Sequence, residues 1–234
     1  CERTESPFGR REAAVLAEPR HAVPVFPLRG VVLFPHALLP IHVYELRYRT
    51  MVRDALSAER MIALALLEPG WSADYQGSPE FFPLGCLARV EDVEWLPNDC
   101  YNLRLLGLAR VRFERRVREY PYRSARVRVL PQEPYTEDDP LVRIERQAAC
   151  DAFHRLLTAA ATLAGQPAPP APGGDLSYEA LVNLMCMSLD AEGQEKLALL
   201  ALDSVIERGR QVRERVERRL LARESRKPGD GQQN

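Results

Sequence analysis

Residues 23–52 read Val-Pro-Val-Phe-Pro-Leu-Arg-Gly-Val-Val-Leu-Phe-Pro-His-Ala-Leu-Leu-Pro-Ile-His-Val-Tyr-Glu-Leu-Arg-Tyr-Arg-Thr-Met-Val. Pro24, Pro27, Pro35 and Pro40 disfavour helix at themselves and at the residue before each. Residues 23–27 and 38–43 are therefore expected as short extended pieces. Proline cannot donate to a ladder, which places them at sheet edges or bulges. The apolar period then changes. Tyr44, Tyr48, Met51, Val52, Ala55 and Leu56 recur at helical spacing, with Glu45, Arg49 and Arg53 on the outside. Strand, strand, helix is the expected opening.

Downstream, Ile62-Ala-Leu-Ala-Leu-Leu67 is a continuous apolar run and reads as a buried strand. A long loop is expected over 68–83, then strands over 84–96, 101–108, 110–119 and 122–130, with turn chemistry at Pro97-Asn-Asp99. Val111, Phe113, Arg115 and Val117 alternate with Arg110, Arg112, Glu114, Arg116 and Arg118, and Val127 and Val129 with Arg126 and Arg128. That is the pattern of a half-buried antiparallel sheet. Residues 140–164 lack Gly and Pro and suit a helix. Residues 165–175 form a Pro/Ala/Gly linker. Ser177 is the expected N-cap of a helix carrying Leu181, Leu184, Met185 and Leu189. Helices over 192–202 and 203–224 follow. The last presents Val205, Gly209, Val212, Val216 and Leu220 on one face and Arg208, Arg210, Arg213, Arg215, Arg218, Arg219 and Arg223 on the other. The division expected is a flexible lead-in (1–21), a β-rich subdomain (22–133), a helical subdomain (134–224) and a frayed tail (225–234).

The 234 residues are 46% hydrophobic and 28% charged with a net charge of −1. They read as an ordinary globular chain with no overall attraction for nucleic acid or membrane. No apolar run approaches the ~20 residues a membrane helix needs, and the first residues lack a signal-peptide core. The chain begins at Cys1 rather than Met, which leaves its start open to processing or truncation. The five cysteines form no CxxC pair, and His21, His36, His42 and His154 supply no clustered ligands. Neither a metal site nor a disulfide framework is expected, and reduced thiols suit a cytoplasmic setting. Cys86 and Cys100 are placed to approach each other across a hairpin. Lys196 and Lys227 are the only lysines among 32 basic residues, so lysine chemistry has two possible positions.

Several blocks in order carry a family resemblance. Pro27-Leu28 precedes the apolar strand ending at Phe34-Pro35, and Pro40 leads into Glu45-Leu-Arg47-Tyr48-Arg49. Gly85 opens a strand that ends at Leu96-Pro97, Gly107-Leu-Ala-Arg110 follows, and Glu195-Lys196 with Leu199-Leu200 and Arg208 forms a weaker block. These resemble the N-terminal substrate-recognition domain of Lon proteases, in the form of small stand-alone Lon-domain proteins. The resemblance implies an α+β fold, with a β-rich PUA-like pseudo-barrel followed by a C-terminal helical bundle. It implies mainly structural roles for the motif residues. It also implies a partner class, unfolded or degron-bearing polypeptide, and an adaptor role for a separate protease or ATPase. Full-length Lon carries a P-loop and a Ser-Lys peptidase. Here no glycine is followed by lysine, and neither lysine falls in a plausible catalytic segment, so no catalytic residue and no cofactor is expected.

Two surfaces are candidate binding sites. The 68–83 loop carries Trp71, Tyr75, Phe81 and Phe82, aromatics suited to extended polypeptide; the alternative is that Phe81 and Phe82 fold back to cap the sheet. The arginine face (Arg110, Arg112, Arg116, Arg118, Arg126, Arg128) invites an RNA-binding reading by counterion release. Between Cys86 and Leu130 ten arginines stand against six acids, so cross-strand Arg–Glu pairing is the favoured reading there. Glu45 and Arg49 are expected to pair at i,i+4. Polypeptide recognition ranks first, RNA binding second and an independent hydrolase third.

Overall fold

The computed structural model describes residues 19, 21–74, 78–172 and 176–224. Most of the expected lead-in, Tyr75, residues 173–175 of the linker and the expected tail lie outside them. The chain divides into two compact units, one running to Pro131 and including Ala191–Ala201, the other formed by Gln132–Asp190 and the residues from Leu202.

The first unit is built on strands β1 (Val23–Leu28), β2 (Leu38–Val43), β3 (Met61–Leu67), β4 (Phe81–Trp95), β5 (Tyr101–Arg118) and β6 (Ser124–Val129), with helix α1 (Leu46–Ser57) between β2 and β3. The sheet order is β2-β5-β4-β3-β1-β6, and β6 also pairs with β5. Only β1 and β3 run parallel; the other neighbours are antiparallel. The β1–β6 ladder covers just Val23 and Pro24, so the mixed sheet rolls into a pseudo-barrel rather than a regular closed barrel. Pro40 lies on the edge strand β2, as expected. The prolines of β1, by contrast, sit inside the sheet. They are tolerated because Pro24 precedes the β3 ladder, which starts at Val25, and Pro27 lies beyond the β6 pairing.

Two strand boundaries differ from expectation. Residues 101–108 and 110–119 form one continuous strand, and β4 begins at Phe81 rather than at Leu84. Pro83 is accommodated where the β3–β4 register shifts between Ala65 and Leu67. Gly107 does not break β5; it admits another chain segment. A Cβ there would lie 2.1 Å from the Phe34 carbonyl oxygen, and one at Gly85 would lie 2.1 Å from that of Leu64. His36 N–H donates to the Gly107 carbonyl at 2.8 Å and Gly107 N–H to that of Ala37 at 2.9 Å. The β1–β2 connection is thereby laced onto β5, with Phe34 and Pro35 buried beneath it.

The core of this unit follows the sequence pattern. All residues from Ile62 to Leu67 are buried. Val111 and Val127 point inward with Val23, Ala63 and Leu87, while Arg112, Arg126 and Arg128 are exposed. The pattern fails at Arg115 and Val117, which are exposed, because register shifts after Phe113 and Arg116 break the alternation. In α1, Tyr48, Met51, Val52 and Ala55 are buried; Tyr44 precedes the helix and is exposed. Helix α4 (Gly193–Leu200) belongs to this unit, and Gly193 allows its close approach to Leu66.

The second unit packs α2 (Pro140–Leu163), α3 (Tyr178–Ser188) and α5 (Val205–Glu224). Asp139 caps α2 by accepting from Leu141 N–H at 2.8 Å, and Ser177 caps α3 by accepting from Ala180 N–H at 3.1 Å. Val205, Gly209, Val212 and Val216 are buried as expected, with Leu220 half-buried. Arg208, expected on the arginine-rich face, is fully buried: it donates to Asn183 Oδ1 at 2.9 Å and to the Leu202 carbonyl at 2.5 Å. Position 208 stands three residues after Val205 and four before Val212, so helical geometry carries it inward. Glu145, 8% exposed, is held by Arg210 at 2.7 Å and Arg213 at 3.2 Å. Among the described residues no helix is long and apolar enough to cross a membrane.

Candidate functional site

The start of α1 faces the β5–β6 connection across an open cleft of about 670 Å³. Its floor is buried: Tyr48, Tyr122 and Arg123 are 6%, 3% and 5% exposed. Tyr48 lodges against Phe26, ring centroids 4.6 Å apart, as the helical period from Met51 and Ala55 dictates. Tyr122 donates its hydroxyl to the Asp54 carboxylate and lies under the Arg118 guanidinium at 3.9 Å. The rim is apolar and open. Tyr44, Leu46 and Tyr120 are 58%, 67% and 76% exposed. Single exposed apolar side chains are ordinary, but three around one concavity make a patch able to receive apolar groups.

Charge is distributed unevenly in the cleft. Glu45 is engaged by Arg47 at 3.0 Å, and Arg47 also lies over the Tyr48 ring at 4.7 Å. Glu119 accepts from Ser78 Oγ at 2.9 Å and lies 4.0 Å from Arg116. Arg123 donates to the Pro79 carbonyl and to the Tyr48 hydroxyl, and its guanidinium is 5.1 Å from the centre of the Phe81 ring. Burial pulls the Arg123 pKa below the ordinary arginine value and pushes that of Tyr48 up.

The aromatic loop residues lie elsewhere. Phe81 is 6% exposed in a cluster with Val25, Ala65, Leu67 and Ala125, and Trp71 is partly buried against that cluster with Arg29 4.8 Å over its ring. Phe82 is half-buried, and Tyr75 lies outside the described residues. Phe81 is a core side chain, in line with its sheet-capping alternative. Among its described residues the loop reaches the cleft through Ser78 and the carbonyl of Pro79.

The arginine face is thinner than its sequence. Arg110 is 3% exposed and donates to the carbonyls of Leu200 at 3.1 Å and Pro131 at 2.5 Å, tying β5 to the end of α4. Arg116 is bound to Glu80, Arg118 lies 3.8 Å from Asp54, and Arg128 lies 3.1 Å from Glu114. The outer face of β5–β6 retains Arg112 opposite Arg128 and Arg115 opposite Arg126.

Other motif residues make contacts within the first unit. Arg49 reaches Asp99 at 3.6 Å and the Asn98 carbonyl at 2.9 Å, in place of the expected pairing with Glu45. Leu96 and Pro97 enter the β4–β5 turn, where Leu96 N–H donates to the Cys100 carbonyl at 2.9 Å. Cys86 stands opposite Arg110, well along the hairpin from the turn beside Cys100, so the two thiols do not face each other. Burial pushes the Cys86 thiol up to about 12, which keeps it protonated at neutral pH.

Sequence reasoning missed Tyr44, Leu46, Tyr120 and Arg123 as a group. Tyr120-Pro-Tyr-Arg123 was legible only as the lead into a strand. The available signal was a Tyr-Pro-Tyr turn flanked by Glu119 and Arg123, and nothing in it indicates the facing helix.

Comparison with known proteins bears on this geometry. A family model described as the ATP-dependent protease La (LON) substrate-binding domain matches residues 22–218. Lon protease 2 of Sorangium cellulosum is 33% identical over 111 residues, covering 47% of this chain and 14% of that protein. Lon protease of Cytophaga hutchinsonii is 24% identical over 186 residues, covering 80% of this chain and 23% of its own length. The chain therefore spans less than a quarter of the length of these relatives. The solved N-terminal domain of Mycobacterium avium complex Lon protease shares the fold with a TM-score of 0.62 at 15% identity, over 84% of this chain and 98% of that one. A Lon N-terminal domain protein from Xanthomonas campestris gives 0.56 at 23% identity, over 82% and 96%. With the match running through the rolled sheet and on into α5, the chain belongs to the Lon substrate-binding domain family.

Proposed function

We propose that the chain is a non-catalytic polypeptide-recognition module. It holds unfolded or degron-bearing polypeptide in the cleft between α1 and the β5–β6 connection, as an adaptor for a protease supplied by a separate chain in the cytoplasm. The observation that carries this is the open rim of Tyr44, Leu46 and Tyr120 over a buried polar floor. A concavity of about 670 Å³ accommodates side chains of an extended peptide, apolar contact supplying affinity and a few polar groups orientation. The sequence contains no P-loop, and Lys196 lies in α4 within the recognition fold.

A second reading, RNA binding, is favoured by the cross-strand array of Arg112, Arg128, Arg115 and Arg126. It ranks lower because Arg110, Arg116 and Arg118 are already committed within the protein.

One experiment separates the readings. The purified chain is immobilised and offered reduced, carboxymethylated lactalbumin, native lactalbumin and a mixed-sequence single-stranded RNA at several salt concentrations. The expected result is retention of the unfolded protein alone, RNA binding that vanishes steeply with salt, and neither ATP hydrolysis nor casein cleavage. Salt-resistant RNA binding without retention of unfolded protein would reverse the ranking. Casein cleavage abolished by changing one serine would make the protein an enzyme.

A further inference from the structure

The floor of the cleft contains a buried cation that no carboxylate among the described residues contacts directly, although Glu119 and Glu80 act on it from further away. Arg123 is 5% exposed, and its contacts are the Pro79 carbonyl, the Tyr48 hydroxyl and the face of Phe81. Among the described residues no carboxylate forms an ion pair with it. The nearby acids are engaged by other groups: Glu45 by Arg47, Glu119 by Ser78 and Arg116, Glu80 by Arg116. A buried cation whose direct contacts are neutral groups is only partly offset by acids shared with Arg116, and it gains when an anion arrives in contact with it.

The cleft also limits which anion fits. Its lining contains two arginines, Arg47 and Arg123, and two glutamates, Glu45 and Glu119. One guanidinium without a direct ion pair matches a single negative charge, whereas a dianionic phosphate would meet Glu45 and Glu119. A planar carboxylate also fits the guanidinium fork in two parallel hydrogen bonds.

Resting on the reading that this cleft holds polypeptide, we infer that it selects chain in which a carboxylate accompanies an apolar or aromatic side chain. Arg123 binds the carboxylate while Tyr44, Leu46 and Tyr120 enclose the apolar group. The carboxylate comes from an acidic side chain or from a chain terminus, and both sources present the same chemistry to Arg123.

The test uses the full chain and three rhodamine-labelled peptides sharing one aromatic core, read by fluorescence anisotropy. The first has Asp beside the core and an amidated C-terminus. The second has Asn in that place and an amidated C-terminus, and the third has Asn and a free C-terminal carboxylate. The first or third is expected to bind about tenfold more tightly than the second, and whichever does so identifies the source. Arg123→Gln should bring the ratio close to one while keeping the affinity of the Asn amide peptide; Arg126→Gln, on the outer face, should leave the ratio unchanged. Should Arg123→Gln not fold, the side-chain Nε–H resonance of wild-type Arg123 decides, shifting with a carboxylate peptide and not with the amide twin. Equal binding of all three peptides overturns the carboxylate inference and leaves the polypeptide reading standing. Binding of none removes that reading and the inference with it.

Discussion

Replacing Tyr44 and Leu46 together by alanine should remove most client binding while leaving the protein folded. Full burial of a large apolar side chain is worth about 1.5–3 kcal/mol. In the free protein 58% of Tyr44 and 67% of Leu46 is exposed, so a client covering them recovers roughly half to two-thirds of that value, about 1–2 kcal/mol each. Ordering of the two side chains takes back part of the gain. The double variant should therefore lose about 1.5–3 kcal/mol, roughly tenfold to a hundredfold in Kd. The smaller share of each side chain already covered puts the cost of the double variant to stability at about 1–2 kcal/mol. Leu46 is the first residue of α1, where alanine is at least as good a helix former. The assay is anisotropy of a labelled unfolded protein, paired with urea denaturation of the same samples. Unchanged binding by a variant of unchanged stability would move the client site off this cleft. A loss of binding that follows a loss of several kcal/mol in stability would make the rim a structural element.

Gly107→Ala should destabilise the first unit by about 3 kcal/mol or prevent folding, because the new methyl would meet backbone atoms of Phe34 at 2.1 and 2.9 Å; a urea midpoint within experimental error of wild type would deny that contact. Tyr178→Phe should stabilise by about 1 kcal/mol, since the Tyr178 hydroxyl is buried without a hydrogen-bond partner among the described residues, and thermal denaturation showing a comparable loss would mean the hydroxyl is bonded in solution. Gly209→Ala places a methyl 2.2 Å from that same hydroxyl, so it should be markedly less harmful in the Tyr178→Phe background than alone, a coupling readable from a double-mutant cycle.

Features that depend on neighbours along the chain were legible in the sequence. The apolar run before Leu67, the buried stripe of α1 and the Ser177 cap follow from period and local hydrogen bonding. Even Arg208 could have been placed inward from its spacing between Val205 and Val212. The ordered motif blocks carried the fold, because glycines such as Gly85 and Gly107 report close backbone approaches that only a few architectures require.

The tertiary structure decided the rest. Alternation cannot foresee a bulge, so Arg115 and Val117 were assigned to the inner face until the register shifts displaced them. Nor does composition distinguish a surface arginine from a buried one: Arg110 and Arg112 are neighbours on one strand, yet the first reaches the Leu200 carbonyl while the second faces solvent. The cleft is the clearest case. Tyr44 and Leu46 meet Tyr120 and Arg123 across more than seventy residues of intervening chain. Whether a tyrosine there is core or rim, and whether an arginine keeps a counter-ion, depends on what the folded chain brings within a few ångströms, which no local pattern encodes.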